Sequence, residues 1–459
     1  MTALRHIAVI DIGKTNAKVA LVDLATMREV TLRRVANAAS ADSPYPHHDV
    51  EALWAFILDS LATIHRDQRI DAISITTHGA TAVLVDAAGG LALPVLDYEF
   101  AGPDTLAQDY DATRPPFAET GTPRLPAGLN IGAQLFWQQK LFPAEFARAA
   151  TILMYPQYWA LRLTGVAANE VTSLGCHTDL WNPWQADFSS LVDKMDWRRL
   201  MAPVRPAKDR LGPILPALAR QTGLDRQTPV FCGLHDSNAS LLPHLLSDSP
   251  PFSVVSTGTW VVSMAVGGTK DALDPVRDTL ANVNALGDPV PSARFMGGRE
   301  FSLLTEGQSE DWTEHDIAAV LAQKTFLLPS TQHGSGPFPH HTAAWLNAET
   351  ITPGQRFVAI SFYLALMTAT CLDLIGAAGP TIVEGPFARN RLFTRMLAAA
   401  TARAVVASEA ATGTSIGAAL LASEGGAVGG KGERTEPPDD PAWVDYVRSW
   451  RVAVDAGNV

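Results

Sequence analysis

Cysteine is scarce in this chain. Cys176, Cys232 and Cys371 are the only three in 459 residues. They lie too far apart for a disulfide framework or a CxxC metal site, so each reads as a small buried hydrophobe. Positive charge is also short: 35 Lys and Arg stand against 47 Asp and Glu, for a formal charge of -12. Neutralising a nucleic-acid backbone takes clustered Lys and Arg, so no nucleic acid is expected as a partner. A nucleotide is not excluded, because it needs only one electropositive pocket and a metal ion. No HExxH and no paired His/Asp spacing occurs, which argues against a metal hydrolase; His47-His48 and His340-His341 read as surface loops. No apolar signal core precedes Asp11, so a cytoplasmic location is expected. The uncharged run from Phe357 to Leu372 ends at Asp373 and falls short of the roughly 20 residues a membrane span needs. It reads as a core helix, and no membrane is expected.

What is present is an α/β pattern. Apolar residues make up 47 % and charged residues 18 %, as in a globular chain long enough for two domains. His6-Ile-Ala-Val-Ile10 and Lys18-Val-Ala-Leu-Val22 read as strands around a polar turn, Val50 to Ile64 as a helix, and Ala72-Ile-Ser-Ile75 and Ala82-Val-Leu-Val85 as strands. The second half repeats the opening. Phe252-Ser-Val-Val255 and Trp260 to Val266 are apolar runs around Ser256-Thr-Gly-Thr259, followed by a helix from about 355 to 377 and the strand Thr381-Ile-Val383. Two such units point to an internal duplication. The boundary is placed at 245/246, where Pro243, Pro250 and Pro251 bracket Ser247-Asp-Ser249. Residues 425–441 read as a loop and 443–454 as a terminal amphipathic helix packing back on the body.

Three loops could carry chemistry. In Asp11-Ile-Gly-Lys-Thr-Asn-Ala-Lys18, Gly13 permits close approach of backbone N–H groups to an anion, Lys14 and Lys18 add charge, and Thr15 and Asn16 add donors. Asp11 at a strand end suits a hydrated Mg²⁺, which prefers oxygen ligands. The alternative is an ordinary hairpin. Ser256-Thr-Gly-Thr259 places hydroxyls around Gly258 in the equivalent position of the second half. Asp236 lies between the strand Val230-Phe-Cys232 and the helix-like Ala239-Ser-Leu-Leu242. It is either a helix cap or a base that accepts a hydroxyl proton during phosphoryl transfer.

The motifs in order resemble the FGGY carbohydrate kinase family over nearly the whole chain. Asp11 to Lys18 resembles the first phosphate motif, and Ile73 to Thr81, with His78-Gly-Ala-Thr81, the sugar-binding turn of xylulose kinases. Tyr158 to Gly165 with Glu170-Val-Thr-Ser173, Gly212-Pro-Ile-Leu215, Thr222-Gly-Leu224 and Gly233-Leu-His-Asp236 resemble the run leading to the catalytic aspartate. Ser256-Thr-Gly-Thr259 resembles the second phosphate motif, and Glu384-Gly385 to Asn390 with Gly417 to Ala422 the adenosine region. There are departures: Pro386 stands where a second Gly is usual, Lys14 replaces a small hydroxyl residue, Gln134-Leu-Phe-Trp137 lacks a usual Lys, and Asp97-Tyr-Glu99 replaces an aspartate–arginine pattern.

The resemblance implies two ribonuclease-H-like domains of the actin/hexokinase type with an interdomain active-site cleft. The domain 1–245 would bind sugar and carry the base, and 246–459 would bind nucleotide. It implies ATP and Mg²⁺, with Asp236 as base and Asp11 on the metal. Gly13, Lys14, Thr15, Asn16, Lys18, Gly258 and Thr259 would handle phosphates, Gly385 and Asn390 would border the nucleoside, and His78, Gly79, Asn130 and Asp236 would meet the sugar. The substrate would be a small ketose: a 6-deoxy-ketohexose, toward which Gly297-Gly-Arg-Glu300 and the early loop point, or a pentulose. A homodimer is left open. Two other readings stand beside this one, an actin-like ATPase and a catalytically silent sugar-binding regulator descended from a kinase.

Overall fold

A computed structural model describes residues 4–269, 273–408, 413–423 and 432–457. The chain forms two compact units, one of Met1–Ser247 with Ala281–Pro289 and Thr412–Val428, the other of Asp248–Leu280, Val290–Ala411 and Gly429–Val459.

In the first unit, six strands run side by side in the order Arg210–Pro213, Pro229–Phe231, Ala72–Thr77, His6–Ile12, Asn16–Asp23 and Arg28–Ala36. His6–Ile12 is antiparallel to Asn16–Asp23 and parallel to Ala72–Thr77. The apolar run at residues 7–10 has no exposed face, as a strand covered on both sides requires. The strand continues two residues past Ile10 into the expected turn, so Asp11 pairs in register with Lys18. A two-residue strand, Leu234–His235, lies parallel on Thr76–Thr77. Ile12, Thr77 and His235 therefore end three neighbouring strands together, and the segments that follow emerge at their carboxyl ends. Ligands of open α/β sheets bind there. The helix Val50–Asp67 packs its buried stripe, Leu53, Ile57, Leu61 and Ile64, into the core of this unit.

The second unit repeats the plan, with Pro289–Phe295, Val261–Val266, Phe252–Thr257, Thr381–Glu384, Val405–Ala407 and Glu433–Thr435 in spatial order. Phe252–Thr257 is antiparallel to Val261–Val266 and parallel to Thr381–Glu384. Again two parallel strands end together, with Ser256 opposite Glu384. The helix Pro353–Leu374 is long and apolar enough to cross a membrane, but 89% of its most apolar stretch is buried in the protein. A capping box of Thr352 and Gln355 starts it. The terminal helix Pro441–Ala456 buries Trp443, Tyr446 and Trp450, and the Tyr446 hydroxyl donates to the Thr325 carbonyl at 2.7 Å.

Two expectations are corrected. The first unit's helix Asp236–Ser247 runs through Pro243, so the break falls after Ser247. Within the expected loop 425–441, Glu433–Thr435 is a strand because it pairs with Val405–Ala407; residues 425–431 lie outside the described residues.

Candidate active site

The turn after His6–Ile12 is closed by the Gly13 N–H donating to the Asn16 carbonyl at 2.9 Å. A Cβ at Gly13 would lie 3.1 Å from that oxygen. Thr15 and Asn16 are exposed at the tip, with the Asn16 amide donating to the Thr15 hydroxyl. Behind them Lys18 Nζ pairs with Asp11 Oδ2 at 3.2 Å. Burial is the main reason the Asp11 carboxyl is pushed up to about 6; Lys18 opposes the shift and the charge of Asp236 adds to it. Asp11 and Asp236, 225 positions apart by number, thus belong to one electrostatic cluster.

Lys14 is not a free phosphate ligand. Its ammonium is bonded to Asp97, lies 3.3 Å from Glu99 and sits over the Tyr98 ring. It ties the turn to the 97–99 segment, and so accounts for the unusual acidic sequence there.

Asp236 opens its helix and is one-third exposed. Its Oδ1 accepts from the adjacent Ser237 N–H at 2.6 Å and lies 3.1 Å from His235 Nε2. Burial raises the carboxyl above its ordinary range, and His78 opposes this. His78 is buried, with Nδ1 donating to the Gly79 carbonyl at 2.8 Å and Nε2 without a partner among the described residues. A Cβ at Gly79 would reach to 2.7 Å from His235 Nε2, so only glycine lets the two segments approach.

Asn130 is corrected as a sugar contact. It is fully buried, and its amide is spent on the backbone: Oδ1 accepts from Leu125 N–H, and Nδ2 donates to the Pro123 and His177 carbonyls. His48 is corrected from surface loop to core. Its ring is 5.3 Å from that of His78 and 5.7 Å from that of Tyr155. Burial, then His78, depresses its imidazole to about 3, and both ring nitrogens lack partners among the described residues. The His48 N–H donates to the Val95 carbonyl at 2.9 Å and His48 pairs with Ala39 across a short antiparallel ladder, tertiary partners that sequence patterning does not reveal.

In the second unit, Thr257 clasps two loops: its hydroxyl donates to the Glu384 carbonyl at 2.5 Å and accepts from the Phe387 N–H. Gly385 has φ 81°, and a Cβ there would lie 2.1 Å from the Thr257 carbonyl oxygen. Gly258, Thr259, Pro386 and Asn390 line a cavity of about 950 Å³, together with Gly298, Arg299, Trp312, Phe301 and Phe387. The segment 297–300, taken as a pointer to the sugar, is therefore part of this cavity or its support: Glu300 is buried and accepts from the Tyr363 hydroxyl. Asn390 spends its Oδ1 capping the helix Arg391–Thr401 and its Nδ2 on Ser361. Aromatic side chains, arginines and the 257–259 loop are a surface suited to a purine and phosphates.

A profile of the N-terminal domain of the FGGY family of carbohydrate kinases matches residues 6–243, and one of the FGGY C-terminal domain matches residues 249–429. An L-fuculokinase of Salmonella typhi is 26% identical over 275 residues, a stretch covering 58% of this chain and 57% of that protein. This chain thus spans little more than half the length of that curated relative. Among solved structures, a carbohydrate kinase from Novosphingobium aromaticivorans is 38% identical, with a TM-score of 0.91 and 100% of both chains covered. A xylulose kinase from Rhodospirillum rubrum, at 20% identity, has a TM-score of 0.78 with 98% of this chain and 99% of that chain covered, a likeness of fold.

Proposed function

This chain belongs to the FGGY family of carbohydrate kinases, and we propose that it transfers the γ-phosphoryl group of ATP to a hydroxyl of a small free sugar. One observation carries the reading: a partly buried carboxylate, Asp236, opens a helix directly after the strand Leu234–His235, which ends opposite Thr77 next to His78, with Oδ1 accepting from the Ser237 N–H. A sugar hydroxyl attacks phosphorus poorly until its proton has somewhere to go, and Asp236 supplies that place. His78 Nε2 would accept from another hydroxyl. In the first unit Lys18, Thr15 and Asn16 are the candidate phosphate ligands; in the second unit Gly258 and Thr259 are.

Asp11 fits a magnesium ion. It is a hard oxygen ligand whose burial favours an added positive charge, and Lys18 engages only one of its oxygens. Bound there, the ion would neutralise phosphate charge. The cavity lined by Gly258, Thr259, Pro386, Phe387 and Asn390 would take the nucleoside of ATP; Gly385 does not line it and shapes the turn against Thr257 instead.

The sugar is proposed as a ketose, L-fuculose or another 6-deoxy-ketohexose first and a pentulose second. The Salmonella typhi relative supports this order. The enzyme would work in the cytoplasm. An actin-like ATPase or a silent regulator would have no use for a base beside His78. The test is coupled ADP release over a panel of ketoses, aldoses and polyols. Sugar-dependent, stoichiometric ADP is expected, and sugar-independent hydrolysis would overturn the reading.

A further inference from the structure

The proposed base is delivered by a strand only two residues long, Leu234–His235. A buried polar chain braces it. Glu170 caps the short helix Val171–Leu174, with Oε2 accepting from the Thr172 N–H at 3.0 Å and from the Thr172 hydroxyl. The same hydroxyl oxygen accepts from the His235 N–H at 2.9 Å. The chain then passes through the imidazole to the carboxylate, His235 Nε2 lying 3.1 Å from Asp236 Oδ1. Glu170 and Thr172 have no exposure at all, so these bonds have no competition from water.

The imidazole has one place to stand. Gly79, where a Cβ would come within 2.7 Å of Nε2, bounds it on one side, and Cys176 Sγ is 3.9 Å away. Burial holds His235 down at about 4, so the ring is neutral and carries one N–H. With that proton on Nε2 the N–H faces Oδ1 at 3.1 Å and Cys176 Sγ at 3.9 Å, and Nδ1, without a partner among the described residues, is left as a bare lone pair. Oδ1 accepts from the Ser237 N–H at 2.6 Å and from the Ser237 hydroxyl at 3.3 Å, with His235 Nε2 3.1 Å away.

We propose that Glu170, Thr172 and His235 are positioning residues that anchor Oδ1 of Asp236 and so leave Oδ2 as the atom that takes the sugar hydroxyl proton. The proposal rests on the kinase reading above. As the hydroxyl oxygen bonds to the γ-phosphorus, its O–H bond breaks, the proton passes to Oδ2, and the bond from the γ-phosphorus to the bridging oxygen breaks to release ADP. A carboxylate anchored through one oxygen keeps the other aimed, which is what an orienting partner contributes to a base.

The test uses the full chain, with melting curves to confirm folding. H235L should lower kcat about 10–100-fold, the usual worth of an orienting partner, with the sugar KM changed less than about threefold. H235Q places an N–H near the position of Nε2 and should recover most of that loss. T172V should lower kcat in the same way and T172S restore it, which keeps the test available if H235L fails to fold. In a D236N background, H235L should cost less than about threefold more, since no carboxylate remains to be aimed. Equal losses in H235L and H235Q, a loss confined to KM, or an undiminished loss on top of D236N would overturn the relay. A wild-type protein that releases no ADP with any sugar would instead overturn the kinase reading, and the relay with it.

Discussion

Replacing Asp236 by Asn separates two accounts of one side chain. As a general base it is worth about 10²–10⁴ in turnover, which at about 1.4 kcal/mol per tenfold is about 3–6 kcal/mol of barrier. Asn keeps the shape and an oxygen to accept from Ser237 N–H and His235, but it cannot take the proton. Stability should move the other way or not at all. Burial raises the Asp236 carboxyl, so the folded protein bears a cost for holding that charge at neutral pH, and Asn removes it. A helix cap makes the opposite forecast: about 1 kcal/mol of stability lost and turnover per folded molecule kept. The geometry already disfavours a cap, since Oδ1 accepts from the next residue, Ser237, whereas a cap accepts from residues two or three further on. The assay is ADP release at saturating sugar and MgATP, with a melting curve on the same sample. A kcat within about threefold of wild type together with a lowered Tm would refute the base and leave the cap.

Glu170 gives a pH signature. Burial pushes its carboxyl up to about 8, so between its ordinary range near 4.5 and pH 8 the folded chain keeps a proton that the unfolded chain has released. Stability therefore falls across that window as pH rises, and the Tm advantage of E170Q over wild type should grow from pH 5 to pH 8; a pH-independent difference would count against it. Asn390→Ala should lose about 1 kcal/mol by uncapping its helix, whereas Asn390→Asp should keep the cap; a large rise in ATP KM in the Asp variant would show that the amide also meets the nucleoside. Activity is expected to vanish in excess EDTA and return with Mg²⁺, and Asp11→Asn should raise the Mg²⁺ needed for half-maximal rate; turnover that persists in EDTA would remove the metal from the scheme.

The sequence by itself determined whatever depends on neighbours along the chain. The apolar runs at 6–10 and 252–255 could only be covered strands. The polar Gly-containing turns after them, and the order in which Asp11, Asp236 and Gly258 follow one another, carried the family's likeness. The uncharged run 357–372 read as a core helix, and the structure has the buried helix Pro353–Leu374 there. What only tertiary structure decided lies in pairings across long separations. Lys14 looks like a phosphate ligand until Asp97, 83 positions away, takes its charge. Asn130 looks like a sugar contact until the carbonyl of His177 claims its amide. His48 carries no local sign of burial, yet it is buried with its N–H on the Val95 carbonyl. The brace behind Asp236 joins residues 63 apart. Periodicity and turn chemistry are short-range properties of the backbone, so they can be read from the chain. Which polar group satisfies which is settled by packing, where a buried donor must find an acceptor wherever the fold brings one.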